Sequence, residues 1–252
     1  WAETPGAARG RILIKAAKGI RDRLDEMAYW ETLETGKPIS QAKAEIDAAA
    51  DHYEAAAGMA RLVSGETHNT YGEGMIGLVT KQPIGVVGLI TPWNFPFIVL
   101  AERLPFILAA GCTVVLKPSE MTSTTSLIFA RILNEAGLPK GVYNVVTGTG
   151  PVVGEAMSNH LDIDMISFTG STAVGERVLE ASKSNLKKVG LELGGKNPQV
   201  VFADANLDDA VDGVAFGMCF NAGQCCVSGS RLIIEASIAE DFKAKLFEKL
   251  SK

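Results

Sequence analysis

The 252-residue sequence has no apolar run long enough to cross a membrane. A span needs about 18–20 uninterrupted apolar residues. The longest apolar stretch, around residues 85–111, is broken by Gly, Pro and charge. There are only four cysteines, Cys112, Cys219, Cys225 and Cys226. That is too few for a disulfide framework, and two adjacent cysteines do not bridge each other without strain. A reducing, cytoplasmic setting is expected. The three histidines, His52, His68 and His160, show no ligand spacing, and a CC pair is not CxxC, so no metal site is expected. No block of Lys and Arg stands out and the net charge is −5, which argues against nucleic-acid binding. The N-terminus, WAETPGAARGR, lacks the basic-then-apolar order of a signal peptide. It begins without Met, so upstream residues are expected to precede it.

What is there alternates. Ala8, Ile12, Leu13, Ala16, Ile20 and Leu24 recur at helical spacing, predicting one helix over 8–35 that stops at Gly36 and Pro38. A second helix is expected over 39–63, capped by Ser40. Residues 65–82 read as strands and turns. From residue 84, short β-branched runs (85–90, 112–117, 142–146, 164–168, then 187–193 and 198–202) alternate with helices. Those helices are expected over 97–110, 121–136, 172–184 and 207–221. This pattern implies an α/β fold with a parallel sheet covered on both faces. Ligands of such sheets bind at the carboxyl ends of the strands.

Several motifs fall at those ends. In LITPWNFPF (89–97), Pro92 and Pro96 stiffen a turn that carries Trp93 and Asn94. An Asn amide there can donate to a developing oxyanion; the alternative is a Pro-rich turn with Trp as filler. In LKPSE (116–120), Lys117 and Glu120 can grip sugar hydroxyls, or simply form a solvated loop. Residues 145–160 carry Gly148, Gly150 and Gly154 between strand and helix, a G-x-G-x-x-x-G spacing. This departs from the dinucleotide fingerprint, and the acid expected about 20 residues further on is replaced by Phe168, Thr169 and Gly170. In SFTGSTAVG (167–175), Gly170 permits close approach and Ser171 can cap a helix whose N-terminus suits a phosphate. In LELGGKNP (191–198), Glu192 lies among apolar neighbours. A partly apolar pocket would raise its pKa toward that of a general base, unless it pairs with Lys196. FNAGQCCVSGS (220–230) presents two thiols in a polar, glycine-flanked stretch. A nucleophile served by a carboxylate base and an amide donor fits better than a metal or a redox pair. Which sulfur acts is open on these grounds, and a thiol hydrolase needing no dinucleotide is a further alternative.

PWNFP, KPSE, FTGS, ELGGK and GQCC, in this order, resemble the aldehyde dehydrogenase superfamily. The resemblance covers essentially the whole chain, including ETLETGKPISQAKAEI (31–46). It implies a Rossmann-like NAD-binding domain (1–66 and 84–193), an oligomerisation hairpin (67–83) and the first part of an α/β catalytic domain (194–252). It implies Cys226 as nucleophile, three places after Gly223, with Cys225 as a packing residue. It implies Asn94 and the Cys226 N–H as oxyanion donors and Glu192 as the base. Trp93, Lys117, Ser119, Glu120, Gly150, Gly154, Phe168, Ser171 and Leu193 are the implied cofactor residues. Glu120 favours NAD, with NADP possible. Glu102 stands where family members line the substrate tunnel, and an acid there would attract a cationic aldehyde unless it pairs with Arg103. A homodimer or homotetramer is implied. Family chains are about twice as long, so a catalytically incomplete segment that binds only dinucleotide is the alternative reading.

Overall fold

The computed structural model describes residues 1–251, and its first departure from the sequence pattern comes at Arg23. Two helices, α1 (Gly6–Asp22) and α2 (Leu24–Thr35), replace the single one expected over 8–35. Arg23 leaves helical geometry at φ −116°, ψ 20°, and its guanidinium reaches Glu135 at 2.8 Å. Neither Gly nor Pro marks the break, so the apolar periodicity runs straight through it. The next helix, α3 (Ile39–Met59), has Pro38 as its N-cap; Ser40 is its second residue and not the cap. Small residues let α1 lie close against α3. A Cβ on Gly10 would stand 2.7 Å from the Ala57 carbonyl oxygen, a distance no side chain tolerates.

A short antiparallel hairpin follows, β1 (Glu66–His68) with β2 (Gly77–Val79), Thr67 opposite Leu78. The chain then enters its main sheet through β3 (Val86–Ile90). The helix expected over 97–110 is two, α4 (Ile98–Ala101) and α5 (Leu104–Ala109), because Arg103 leaves helical geometry at φ −124° and Pro105 follows at the second position of α5. Next come β4 (Thr113–Lys117), α6 (Thr124–Ala136) and β5 (Tyr143–Val145). A wide π-type turn over Gly150–Gly154 leads into α7 (Glu155–Asn159). The unit closes with β6 (Met165–Gly170), α8 (Thr172–Ala181) and β7 (Lys188–Leu193).

The sheet order is β5-β4-β3-β6-β7, and the β3–β4, β3–β6 and β4–β5 pairs are parallel. The chain moves outward from β3 through β4 to β5, then returns to the other side of β3 as β6. Such a switch point opens a crevice at the carboxyl ends of the two central strands. The register places Lys117, Ile90 and Phe168 side by side at that end. Beneath it lies a core of Val87, Leu89, Val114 and Leu116 with α1, α3 and α6. Phe129 centres an aromatic group, 5.2 Å from Phe97 and 5.0 Å from Tyr53 between ring centroids.

The chain divides into two compact units, Trp1–Glu192 and Leu193–Lys252. The second has its own core. In it β8 (Pro198–Val201) pairs in parallel with β9 (Arg231–Ile234). Helices α9 (Leu207–Cys219) and α10 (Ala239–Leu250) pack together over Val201, Val211, Val214, Phe242 and Leu246. The Asn206 side chain caps α9 by accepting the Asp208 N–H at 3.2 Å. α9 stops at Cys219, before the expected residue 221, because Phe220 turns to ψ 135° and Asn221, Ala222 and Gly223 then take left-handed φ (54°, 55° and 76°). No helix of the described residues is long and apolar enough to cross a membrane.

Candidate active site

The first unit gathers most of the residues marked at strand ends. The Lys117 side chain is only 4% exposed, and its Nζ lies 3.0 Å from Glu120 Oε2. Glu120 ends the loop after β4 with its carboxylate half exposed. Its own backbone N–H, then Lys117, then the Gly150 N–H hold this carboxyl below the usual carboxylate range. The KPSE loop and the glycine turn therefore meet. Ser119 is buried, and its hydroxyl accepts the Met121 N–H at 3.3 Å, which shapes the loop. The Thr91 N–H donates to the Lys117 carbonyl at 3.1 Å, joining the start of the Pro-Trp-Asn turn to the same strand end.

Gly150, Gly154 and Phe168 line one cavity with Ile90, Val174 and Arg177. Ser171 is the N-cap of α8, accepting the Val174 N–H at 3.4 Å. That helix starts with free-end dipole charge aimed outward, suited to an anion. Gly170 has a different use from the one the sequence suggests. A Cβ on it would meet the Phe168 ring at 2.5 Å, so this glycine makes room for a ring of its own chain. Ile90, Val174 and Arg177 were not singled out from sequence. Apolar wall residues look like core residues in a string; only the position three places after the Ser171 cap would have marked Val174.

Trp93 is exposed and Asn94 half-buried on the turn after β3, while Phe95 and Phe97 point into the core. Glu102 is exposed at the break between α4 and α5. Its carboxylate lies 3.3 Å from Arg103 Nη1, which also donates to the Val99 carbonyl at 3.0 Å. Glu192 departs from the sequence expectation of an apolar pocket. It sits on the edge strand β7 with its side chain exposed, while Leu191 and Leu193 are half-buried. Alternation explains this: on a strand, the residue between two inward neighbours points away from them.

In the second unit, Cys226 is exposed, Cys225 half-buried and Cys219 exposed. The cysteines follow the left-handed run at Asn221–Gly223. Non-glycine residues at positive φ are strained, and such strain clusters at functional turns. Asn221 is 1% exposed; its Nδ2 donates to the Gln224 carbonyl at 2.9 Å, locking the turn. The Ser228 N–H closes a second turn on the Cys225 carbonyl at 3.2 Å. Asn197 Nδ2 lies 3.4 Å from the Cys226 carbonyl oxygen. A Cβ on Gly195 would stand 3.2 Å from that same oxygen, so the GGKN loop and the cysteine turn lie against each other. Cys226 is thus carried on a braced turn with its side chain toward solvent. Among the described residues no group of three or more His, Cys, Asp or Glu could hold a metal.

The first unit's cleft fits a dinucleotide. Gly150 and Gly154 have ordinary φ, and a Cβ on either would meet no atom of this chain within 4 Å. Neither backbone conformation nor internal packing therefore demands glycine there; a ligand lying in the cleft would. Buried Lys117, exposed Glu120 and the α8 N-terminus add donors, acceptors and positive potential along it.

Comparison with known proteins agrees with this arrangement. The family model described as "Aldehyde dehydrogenase family" matches residues 1–252. The betaine aldehyde dehydrogenase of Bacillus subtilis (strain 168) is 41% identical over 252 residues, 100% of this chain and 51% of its own length. The solved structure of an NAD-dependent aldehyde dehydrogenase from Sinorhizobium meliloti is 51% identical with a TM-score of 0.96, over 98% of this chain and 49% of that one. PnpE in complex with nicotinamide adenine dinucleotide is 43% identical with a TM-score of 0.96, over 99% and 51%. The chain spans about half the length of the curated relatives it matches.

Proposed function

This chain belongs to the aldehyde dehydrogenase family, and from that premise we propose that it carries the cofactor cleft and the nucleophile of an NAD-dependent oxidation of an aldehyde to a carboxylic acid. The observation that carries the reading is the cleft where the Lys117–Glu120 pair meets Gly150, beside a wall of Gly154, Phe168 and Val174. Lys117 and Glu120 would hold the adenosine ribose. Trp93 and Ser171 with the α8 N-terminus would hold the pyrophosphate, Ser119 would shape the loop that carries Glu120, and Leu193 would lie near the nicotinamide. Bound NAD supplies the acceptor for the hydride that leaves the substrate carbon.

The chain's own residues supply the rest. The Cys226 thiolate forms a bond to the aldehyde carbon, and the carbonyl oxygen takes the negative charge. Asn94 Nδ2 and the Cys226 N–H donate to that oxyanion. Loss of hydride leaves a thioester on Cys226. Glu192 takes a proton from water, whose oxygen attacks the thioester carbon. The carbon–sulfur bond breaks, the thiolate returns and the acid departs. Removing one such donor, as in Asn94→Ala, is expected to lower turnover about 100- to 1000-fold.

For the substrate we propose a cationic aldehyde, of the amino or quaternary ammonium class. The exposed Glu102 carboxylate supports this, as does the likeness to a betaine aldehyde dehydrogenase. The Arg103 pair at 3.3 Å competes for the same charge, so the preference is modest. The test is NADH formation by the full chain with a trimethylammonium aldehyde, an aminoaldehyde, succinate semialdehyde and an alkyl aldehyde. Turnover should lead with the cationic aldehydes and lose that lead in Glu102→Gln. A lead for the semialdehyde would sink the substrate assignment and leave the reaction standing. NAD binding without any turnover would favour the reading as a dinucleotide-binding segment.

A further inference from the structure

Three ionisable side chains lie where charge is least at home. Lys37, Glu31 and Glu45 are 1%, 0% and 9% exposed. Lys37 Nζ lies 3.2 Å from Glu31 Oε1 and also bonds Glu45 Oε2, whose other oxygen accepts from Gln41 at 2.7 Å. The sequence builds this cluster locally. α2 ends on Gly36 at φ 77°, which reverses the chain and turns Lys37 back under Glu31. The Thr35 hydroxyl donates to the Glu31 carbonyl at 2.6 Å and accepts the Lys37 N–H at 3.3 Å, fixing the reversal. Pro38 then starts α3, which brings Glu45 to the other side of the ammonium.

A buried ionic cluster is a poor source of stability, because well-packed apolar side chains of similar volume often do as well. What this one touches is more telling. Lys37 Nζ stands 4.7 Å from the centroid of the Phe95 ring, within cation–π range. The Phe97 N–H lies close enough to the Glu31 carboxyl to favour its charged form, although Glu31 Oε2 accepts no full hydrogen bond. Phe95 and Phe97 are the residues that follow Trp93 and Asn94 on the turn. Phe97 is also anchored on Phe129. The cluster therefore grips the inner side of a turn whose outer side carries the amide donor.

We propose that the buried Glu31–Lys37–Glu45 cluster positions the Trp93–Asn94 turn, with the Lys37 ammonium under the Phe95 ring as its principal hold. The proposal rests on the reading of Asn94 as oxyanion donor and assigns the cluster no contact with substrate. A charge held on a ring face is directional where a purely apolar contact is not. A directional hold suits an amide that must meet a developing charge in one geometry.

The test compares Phe95→Leu, which keeps apolar bulk but loses the ring face, with Phe95→Tyr, which keeps both. Phe95→Leu is expected to lower kcat about 10- to 100-fold, the scale of a small misplacement of a catalytic group. KM for NAD should stay within about threefold, and Phe95→Tyr should stay near the parent in both. Hydrogen exchange of the Asn94, Phe95, Phe97 and Ile98 amides should quicken about tenfold or more in Phe95→Leu and in Lys37→Met. Phe95→Leu should add little on an Asn94→Ala background, since the two act through one group. Equal behaviour of Leu and Tyr, or unchanged exchange at 94–98 despite a lower Tm, would overturn the proposal. If Asn94→Ala alone leaves turnover unchanged, the oxyanion role fails instead, and exchange still decides the positioning.

Discussion

Glu120 lies three residues after a nearly buried lysine and carries charge at the edge of the cleft. In the proposed role its carboxylate would accept two ribose hydroxyls and repel a phosphate on either. Glu120→Gln keeps the shape and removes the charge. Losing a charged hydrogen bond costs about 1.5–3 kcal/mol, so NAD should bind about tenfold or more weakly. NADP should gain relative to NAD in the same variant, read by titrating both dinucleotides against the full chain. Glu31 gives a second prediction at this scale. Burial pushes its pKa up to about 7, against the pull of Lys37. The folded state thus binds this proton more tightly than the unfolded chain does. Stability contributed by the protonated form is complete below the ordinary carboxylate pKa and declines as pH rises toward about 7. At about 1.4 kcal/mol per pKa unit the full decline is on the order of 3 kcal/mol. Glu31→Gln should flatten it, measured by urea unfolding across that range; an unchanged slope would mean that Glu31 titrates normally.

At the scale of elements, the β1–β2 hairpin carries Tyr71, Met75, Ile76 and Leu78, each more than half exposed. Two short strands do not hold together well on their own, and clustered exposed apolar side chains mark an interaction surface. We expect Leu78→Glu with Ile76→Glu to lower the oligomeric state in sedimentation without unfolding either core. An unchanged mass would contradict a role for this hairpin in self-association. The strands of the main sheet were legible because buried parallel strands read as continuous β-branched runs, as Val86–Ile90 and Thr113–Lys117 do. Helix breaks were less legible. Arg23 interrupts a helix with neither Gly nor Pro beside it, and its side chain pairs with Glu135, 112 residues away. The break at Arg103 is marked by Pro105 at the second position of α5, which has no N–H to continue the ladder to Ala101. The cap of α3 was misread because Ser is the stronger capping residue by type, yet Pro38 already fixes the entry. Site legibility divided the same way. Glu120, Gly150 and Ser171 announce themselves by residue type at a strand end. Val174 and Ile90 do not, and the exposure of Glu192 depends on its facing from an edge strand.

Across the whole molecule, each unit has its own core and its own share of the chemistry. The residues proposed to hold the cofactor from Trp93 to Ser171 lie in Trp1–Glu192, while three of the four thiols lie in Leu193–Lys252. We propose that the aldehyde carbon is carried on one sulfur, that of Cys226. The most direct measurement incubates the full chain with NAD and an aldehyde, quenches in acid and maps acylated peptides by mass. An acyl group is expected on Cys226 that depends on NAD, survives Cys225→Ser and disappears in Cys226→Ser. Acylation that survives Cys226→Ser and vanishes in Cys225→Ser, or no acylated cysteine at all with NAD bound, would contradict it.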